Sequence, residues 1–166
     1  MRISVIYARS KNQCIGHQGG LPWDLPDEFE HFNRVTMGHS IIMGRRSYED
    51  HQSNLPGRLN VVVSTKRNYQ LAPGVQLASS LDEAIQTGTD YNQEAFIIGG
   101  VELIVAAMRR PETTTVYESI VETNCEGDTF LPAFNFDSWE STLIGKHAVD
   151  QQHKFGFEVW RRTRLN

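Results

Sequence analysis

The sequence predicts an α/β fold with a central, mixed but mostly parallel sheet, helices on both faces and antiparallel strands at the C-terminus. Strand-like and helix-like segments alternate through the first two-thirds of the chain, as parallel strands joined by helical crossovers require. The last third contains strand-like segments only, which adds antiparallel edges. A chain of 166 residues closes one hydrophobic core comfortably. We therefore interpret residues 1–166 as a single domain.

The first elements follow from local sequence signals. Arg2 to Ala8 is rich in β-branched and aromatic side chains and predicts a strand. Residues 9–25 contain too many glycines and prolines for regular structure, so we expect a long loop that acts as a mobile active-site flap. Asp24 as a cap and Pro26 as a first-turn residue predict a helix over Asp27 to Met37.

The later segments continue the alternation. A turn at Leu55–Arg58 precedes one strand, and a capping box from Ser80 to Glu83 opens a helix that runs to about Thr87. Strands are predicted at 40–43, 60–65, 75–79, 94–98 and 113–123, further helical segments at 45–50 and 101–109, and a closing antiparallel pair at 139–147 and 155–162.

Composition and charge exclude several classes of protein. The net charge of -4 gives no general attraction to nucleic acid or anionic lipid, and no apolar run approaches the length of a membrane span. Cys14 and Cys125 lie far apart without ligand spacing, which argues against zinc and against a disulfide framework. We expect a cytoplasmic monomer that binds no metal. Most of the six histidines are interpreted as surface residues; they are His17, His31, His39, His51, His147 and His153.

Three polar or glycine-rich segments follow predicted strands and suggest a phosphate site. Gly99–Gly100 separates an apolar strand from a helix, where backbone amides can approach a phosphate, although a tight turn would need the same glycines. Arg45–Ser47 and Ser64–Arg67 follow two other strands and should lie at the same sheet edge. Solvated loop charge explains either basic segment alone. Together with the glycine pair, they favour a cofactor with more than one phosphate group.

Glu28 is the candidate acid. It lies one turn into the first helix, with Trp23 and Pro26 on one side and Phe29 and Phe32 on the other. Apolar surroundings of this kind raise the pKa of a carboxyl group or let it grip an amidine-like cation. The alternatives are a first-turn glutamate that interacts with the helix dipole in water, or the neighbouring Asp27 as the acid.

Six short motifs, in an order and spacing that cover nearly the whole chain, resemble dihydrofolate reductase. The most specific stretch runs from Ile15 to Phe32. The motifs are Ile15–Gly16, Gly20–Pro26, Met43–Arg45, Leu55–Arg58, Ile98–Gly100 and Glu126–Thr129. The resemblance implies hydride transfer from NADPH to C6 of 7,8-dihydrofolate, with a proton delivered to N5 from solvent.

The resemblance also implies the site residues. Glu28 matches the sole acid of the pterin pocket, Ser119 a hydroxyl that supports this acid through water, and Arg58 the arginine that forks onto the α-carboxylate of the folate tail. The implied catalytic positions are Glu28, Trp23 and Leu21, and the substrate-binding positions are Ile6, Tyr7, Glu28, Phe29, Phe32, Leu55, Arg58, Ile98 and Ser119. The implied cofactor positions are Ala8, Ile15, Gly16, Gly20, Leu21, Gly44, Arg45, Arg46, Ser47, Ser64, Thr65, Lys66, Ile98, Gly99, Gly100, Val101, Glu102 and Leu103.

Four departures from the family pattern keep rival interpretations open. Val101, Glu102 and Ile104 stand where the family usually has glycine, a basic residue and a tyrosine near the nicotinamide, and Asp50–Ser53 replaces a more apolar turn. One rival is a non-catalytic nucleotide-binding homologue. The other is the pyrimidine reductase of riboflavin synthesis, which should lack the combination of Gly20–Pro26 and Glu28 seen here.

Overall fold

The computed structural model describes residues 2–50 and 55–165. These residues form ten strands and four helices. In chain order they are β1 (Arg2–Ser10), β2 (Cys14–Gly16), α1 (Pro26–Thr36), β3 (Ser40–Gly44), α2 (Arg45–Asp50), β4 (Leu59–Val63), β5 (Gln76–Ala78), α3 (Leu81–Tyr91), β6 (Glu94–Gly99), α4 (Val101–Met108), β7 (Thr113–Val121), β8 (Thr129–Phe130), β9 (Trp139–His147) and β10 (Phe157–Arg164).

Eight strands form one mixed sheet in the order β5-β4-β3-β6-β1-β7-β10-β9. The pairs β1–β6, β3–β6, β3–β4 and β4–β5 are parallel. Strand β10 pairs antiparallel with β7 and with β9. The mixed sheet, the helices and the antiparallel C-terminal strands are therefore confirmed.

The chain divides into two compact units, the first of which consists of Met1–Val5 and Val35–Thr113. It contains the parallel strands β3 to β6 and helices α2 to α4. Ile41 and Ile42 are consecutive on β3 and both fully buried, as are Val61 and Val62 on β4. Because consecutive side chains on a strand point to opposite faces, both faces of these strands are covered.

The second unit consists of Ile6–Arg34 and Thr114–Asn166. Its buried cluster includes Trp23, Leu25 and Phe157, so the segment before α1 packs against β10. Our interpretation of residues 1–166 as one domain stays a prediction. Among the described residues, none of the helices is long and apolar enough to cross a membrane.

The segment 9–25 is not wholly irregular as predicted, because it contains β2. Strand β2 pairs antiparallel with β8, a two-residue strand that the sequence analysis missed. At Gly127 a Cβ atom would collide with the Cys14 Sγ and the Gly16 carbonyl oxygen, so only glycine permits this approach. Pairing with a distant segment is invisible to local patterns. The expected mobility of the flap stays a prediction.

The helix starts and ends also differ from expectation. Helix α1 begins at Pro26, and the carbonyl of Leu25 accepts the Phe29 N–H at 3.1 Å, so Asp24 is not the residue adjoining the helix. In α3 the predicted cap holds, since the Ser80 hydroxyl accepts the Glu83 N–H at 3.1 Å. That helix continues to Tyr91 rather than Thr87, since it packs closely through a buried glycine at position 88.

Strand boundaries shift by one to two residues. Strand β4 spans 59–63 instead of 60–65, because Ser64 begins a turn in which its hydroxyl accepts the Lys66 N–H at 3.1 Å. Strand β7 ends at residue 121 instead of 123, and β10 spans 157–164 instead of 155–162.

Candidate active site

Glu28 is a buried carboxyl group in the first turn of α1, with 8% of its surface exposed. Burial raises the pKa of Glu28 to about 7, and a hydrogen bond from the Ser119 hydroxyl on β7 offsets only part of this effect. The resemblance implies that Ser119 supports the acid through water, and this role stays a prediction. A carboxyl group with this pKa changes its protonation state near neutral pH, as a general acid should.

In a second buried carboxylate of the same unit, hydrogen-bond donors offset the effect of burial on the pKa. Glu118 accepts hydrogen bonds from the Tyr7 hydroxyl at 2.6 Å, the Arg9 Nε at 3.1 Å and the Arg162 Nη2 at 2.5 Å. Burial raises the pKa of Glu118, but these partners outweigh burial and hold it below its usual range. Glu118 is a stabilised structural anion, while no cation in the described part of the chain lowers the pKa of Glu28.

Tyr7, a predicted substrate-binding residue, has its hydroxyl committed to this network. Burial, and then the Glu118 charge, raise the pKa of Tyr7 well above its usual value. Any contact of Tyr7 with a ligand would therefore involve the ring. The sequence signal for the network of Glu118, Arg9 and Arg162 is limited to a charged residue in the interior of a strand that is otherwise apolar or β-branched.

Apolar side chains around α1 remain open to solvent. Phe29 and Leu21 expose 51% and 47% of their surfaces, and the Phe29 and Phe32 rings stack with centroids 6.3 Å apart. The indole Nε1 of Trp23 is buried and has no hydrogen-bond partner among the described residues. Ile6 is buried on β1. Exposed aromatic surface beside a buried acid and an orphaned donor is the composition of a ligand site.

Arg58 and Leu55 belong to the first unit, and side-chain hydrogen bonds hold the turn that carries them. The Arg58 Nε donates to the Pro56 carbonyl at 3.1 Å, and its Nη1 donates to the Thr36 hydroxyl at 3.1 Å. The Asn60 side chain bonds both the N–H and the carbonyl of Leu55. Burial lowers the pKa of Arg58. Of the 50–53 segment, His51, Gln52 and Ser53 lie outside the described residues.

The three predicted phosphate segments meet at one edge of the sheet, as expected. Gly44 pairs with Val63, and Met43 pairs with Gly99, so β3, β4 and β6 end at the same level. Helix α4 has no side-chain cap at Gly100, which leaves its first amides available. A Cβ on Gly99 or Gly100 would lie 3.2 or 3.3 Å from the Ser47 Oγ. Because neither glycine has a side chain, the backbone at Gly99 and Gly100 can lie close to Ser47.

The basic residues at this edge of the sheet differ in their contacts and exposure. Arg45 lies 5.8 Å over the Tyr69 ring and 3.8 Å from Glu49, whereas the Arg46 side chain is 92% exposed. Glu102 is exposed in the first turn of α4. A cavity of about 580 Å³ adjoins the segment after β4; it is lined by Lys66, Arg67, Asn68, Tyr69 and Gln70. Its cations and aromatic ring suit an anionic, planar group.

The remaining predicted positions differ in exposure. Thr65 and Lys66 are exposed, and Ile104 is buried at 1% exposure, so it is a core residue. The half-buried positions are Ala8, Ile15, Gly16, Gly20, Gly44, Ser47, Ser64, Ile98, Gly100, Val101 and Leu103.

The interpretation of most histidines as surface residues is wrong. Of the five that are described, only His17 is exposed, while His31 and His153 are buried. His147 and His153 also converge with Asp27, with one potential ligand atom from each within 4.8 Å of the others. The sequence does not show that His147 and His153 lie close to Asp27, because only folding brings α1 and the β9–β10 connection together.

Comparison with known proteins identifies the family to which the chain belongs. The sequence model described as dihydrofolate reductase matches residues 2–164. The chain belongs to the dihydrofolate reductase family. Dihydrofolate reductase type 3 of Salmonella typhimurium is 38% identical over 158 residues, 95% of both chains. The dihydrofolate reductase of Staphylococcus haemolyticus is 30% identical over 166 residues, 99% of this chain and 98% of the relative.

Solved structures agree with the sequence relatives. A dihydrofolate reductase from Enterococcus faecalis, complexed with NADP(H) and RAB-propyl, superimposes with a TM-score of 0.91 at 25% identity. The match covers 99% of this chain and 97% of that one. The dihydrofolate reductase fold is thus established over almost the full length, and the family match excludes the pyrimidine reductase alternative.

Proposed function

We propose that this chain reduces 7,8-dihydrofolate to 5,6,7,8-tetrahydrofolate with NADPH, and that Glu28 is its one essential acid. The observation that carries the proposal is the contrast between two buried carboxyl groups. Glu118 is paired with two arginines and accepts a hydrogen bond from the Tyr7 hydroxyl, whereas no cation among the described residues lowers the pKa of Glu28. Uncompensated burial is costly for stability and is found where a reaction needs it.

NADPH, when bound, supplies the hydride that is transferred to C6 of the pterin. The structure fits this group at two features already described, the uncapped start of α4 and the cavity lined by Lys66 and Tyr69. The pyrophosphate would lie on the amides after Gly100, and Arg45, Ser47, Ser64, Thr65 and Lys66 would hold the remaining phosphate charge.

The substrate side uses the residues around α1. The Glu28 carboxylate accepts hydrogen bonds from the N–H and amino donors of the pterin, and its charge favours protonation at N5 from solvent. Phe29, Phe32 and Leu21 supply apolar surface that excludes bulk water from the ring, and the Trp23 Nε1 donates to a water near the acid. Arg58, held by Pro56 and Thr36, binds the α-carboxylate of the folate tail.

The test is the variant Glu28→Gln, with Asp27→Asn as the matched control on the same helical turn. The amide keeps the shape but presents an NH₂ donor to the donors of the pterin. Turnover of dihydrofolate at pH 7 should fall by about 10²- to 10⁴-fold, the usual scale for lost acid–base assistance. NADPH affinity should be unchanged, and Asp27→Asn should retain most activity. Near-normal turnover of Glu28→Gln would sink the assignment.

The pH profile provides a second readout. Because the proton at N5 comes from solvent, the wild-type hydride step should weaken as the pH rises and protonated pterin becomes scarce. Glu28→Gln should depend on acid much more strongly, since only free protons then protonate the substrate. Pre-steady-state hydride transfer from pH 5 to 9 measures both. A non-catalytic homologue would consume no NADPH when dihydrofolate is added.

We also propose that the protein acts in the cytoplasm as a monomer and binds no nucleic acid. The free thiols of Cys14 and Cys125 suit a reducing compartment, and the net charge of -4 suits neither nucleic acid nor anionic lipid. Light scattering of the purified chain, alone and with duplex DNA, tests the oligomeric state and the absence of nucleic-acid binding. A dimer mass or a DNA complex at physiological salt would contradict the proposal.

A further inference from the structure

The start of α1 lacks a local cap. Pro26, its first residue, has no N–H, and Leu25, which precedes it, is a buried apolar residue whose side chain cannot accept a hydrogen bond. The Asp27 N–H is therefore an orphan donor at the positive end of the helix dipole. It donates to the Nε2 of His153, at 3.1 Å, from the connection between β9 and β10.

The imidazole of His153 is held in the tautomer that this contact needs. Its Nδ1 lies 2.8 Å from the Asp150 Oδ1, which also accepts the N–H groups of Gln152 at 2.9 Å and of His153 at 2.8 Å. The hydrogen bond with His153 and these backbone N–H groups lower the pKa of Asp150, which thus remains a carboxylate. Nδ1 carries the proton, and Nε2 is left as an acceptor. The ring is 1% exposed.

The neighbouring His147 completes a hydrogen-bond network rather than a metal centre. Its Nδ1 lies 2.7 Å from the Ala148 carbonyl and its Nε2 lies 2.9 Å from the Asp27 Oδ2, so both nitrogens face oxygen acceptors. A metal ion would need the lone pairs of both histidines. The His153 lone pair accepts the Asp27 N–H instead, and His147 serves as a donor.

We propose that His153 is a positioning residue for the reaction: as a non-local cap of α1 it fixes the turn that places Glu28. The inference rests on the proposed function of Glu28. Asp27 and Glu28 are consecutive, so the contact that holds the Asp27 amide also sets the position of the Glu28 carboxyl group against Ser119 on β7. Both the cap and the acid belong to the second unit.

Two amide variants separate the acceptor from the bulk of the ring. In His153→Gln the side-chain oxygen can reach the position of Nε2, while in His153→Asn it reaches only the position of Nδ1. At pH 7, single-turnover hydride transfer should be about 10-fold slower in His153→Asn and within about 2-fold of wild type in His153→Gln. NADPH affinity should not change in either. His31→Gln, a buried histidine on the same helix, is the matched control and should behave as wild type.

One readout excludes a merely structural role. ¹³C-carboxyl NMR should show that the pKa of Glu28 is shifted in His153→Asn and restored in His153→Gln. Equal rates and equal Glu28 titration in wild type and His153→Asn would overturn the proposal, as would a His153→Gln variant as slow as His153→Asn. These failures would leave the loss of activity in Glu28→Gln untouched, so they are distinguishable from a failure of the proposed function.

Discussion

At the scale of single residues, the two buried glutamates lie in opposite electrostatic environments. Glu118 has three donors within 3.1 Å and keeps its charge at little cost. Glu28 has a hydroxyl and an apolar surround, so its ionised form is disfavoured in the folded state. This difference has a direct effect on stability, which can be measured without substrate or cofactor.

We expect Glu28→Gln to stabilise the protein, and to do so more at high pH. The pKa of Glu28 is about 7 when folded and near 4.5 when unfolded, so the folded state binds the proton more tightly. The free energy of unfolding of the wild type therefore falls as the pH rises from about 4.5 to about 7 and stays low above that range. At about 1.4 kcal/mol per pH unit, the gain from Glu28→Gln should be about 2 kcal/mol larger at pH 8.5 than at pH 5.5.

Urea unfolding at the two pH values measures this gain. The control is Glu30→Gln on the same helix, because the Glu30 side chain is 69% exposed and lies 3.7 Å from Arg34. An exposed pair of this kind contributes less than about 1 kcal/mol, so the control should show little dependence on pH. An equal gain from Glu28→Gln at both pH values would contradict the raised pKa.

Arg58→Leu should weaken binding of the folate tail while leaving the chemical step nearly intact. A guanidinium that forks onto a carboxylate makes the same contact in the ground state and the transition state, so it supplies uniform binding. KM for dihydrofolate should rise by about 10-fold or more, the scale of one lost charge-assisted pair, and single-turnover hydride transfer should change little. A reduced pterin without the glutamate tail is the control substrate, for which wild type and variant should be alike. A hydride step slowed as much as binding is weakened would refute this role.

At the scale of elements, close packing overrides local propensity. Gly88 lies inside α3, where glycine is normally unfavourable by about 1 kcal/mol relative to alanine. A Cβ there would lie 2.6 Å from the Ser40 Oγ and 3.1 Å from the Ala95 Cβ. The helix can approach β3 and β6 only because this side chain is absent.

Gly88→Ala should therefore destabilise the protein, by about 1–3 kcal/mol, the cost of overpacking. The matched control is Gln86→Gly on the exposed face of the same helix, which should cost about 1 kcal/mol through propensity and a little more through the lost hydrogen bond from the Gln86 amide to Asp90. Thermal or urea unfolding measures both. If Gly88→Ala stabilises the protein, the packing between α3 and the sheet is looser than described.

The same contrast explains which elements could be predicted from the sequence. Helix α3 was recognised by its Ser80 cap, a local signal, but its end was missed because Gly88 suits close packing rather than termination. Strand β2 was missed because its hydrogen bonds come from β8, far away in sequence. Likewise, Glu28 could be selected from its helical position, whereas the cap from His153 depends on a tertiary contact.

At the scale of the whole molecule, the net charge and the cofactor have the same sign. The chain carries -4, so affinity for an anionic dinucleotide must come from a local concentration of cations. Lys66 and Arg67 line the cavity beside Tyr69, and Arg45 lies over the same ring. Basic segments that directly follow strands are visible in the sequence, and they are sufficient to predict a cationic edge of the sheet. The acidic Glu102 at this edge has no explanation in the structure.

We expect NADPH to be preferred over NADH, because these cations exceed what a pyrophosphate needs and suit a 2′-phosphate. Arg46→Ala combined with Lys66→Ala should narrow the preference by about 10-fold or more, since a hydrogen bond to a charged group contributes about 1.5–3 kcal/mol. Lys11→Ala, which removes an exposed lysine paired with Glu122 at 3.2 Å, is the control. Steady-state kinetics with both cofactors measures the preference. Equal efficiency of the wild type with NADH and NADPH would refute the assignment.

The uncompensated burial of Glu28 also constrains how the sequence can evolve. A lineage that no longer needed tetrahydrofolate from this protein would gain stability from most neutral replacements at position 28, so selection for folding would remove the acid rather than merely fail to maintain it. Glu118 would experience no such pressure, because its loss would leave two half-buried arginines without their carboxylate partner. Retention of Glu118 thus indicates that the fold persists, whereas retention of Glu28 indicates that the organism still depends on the reaction.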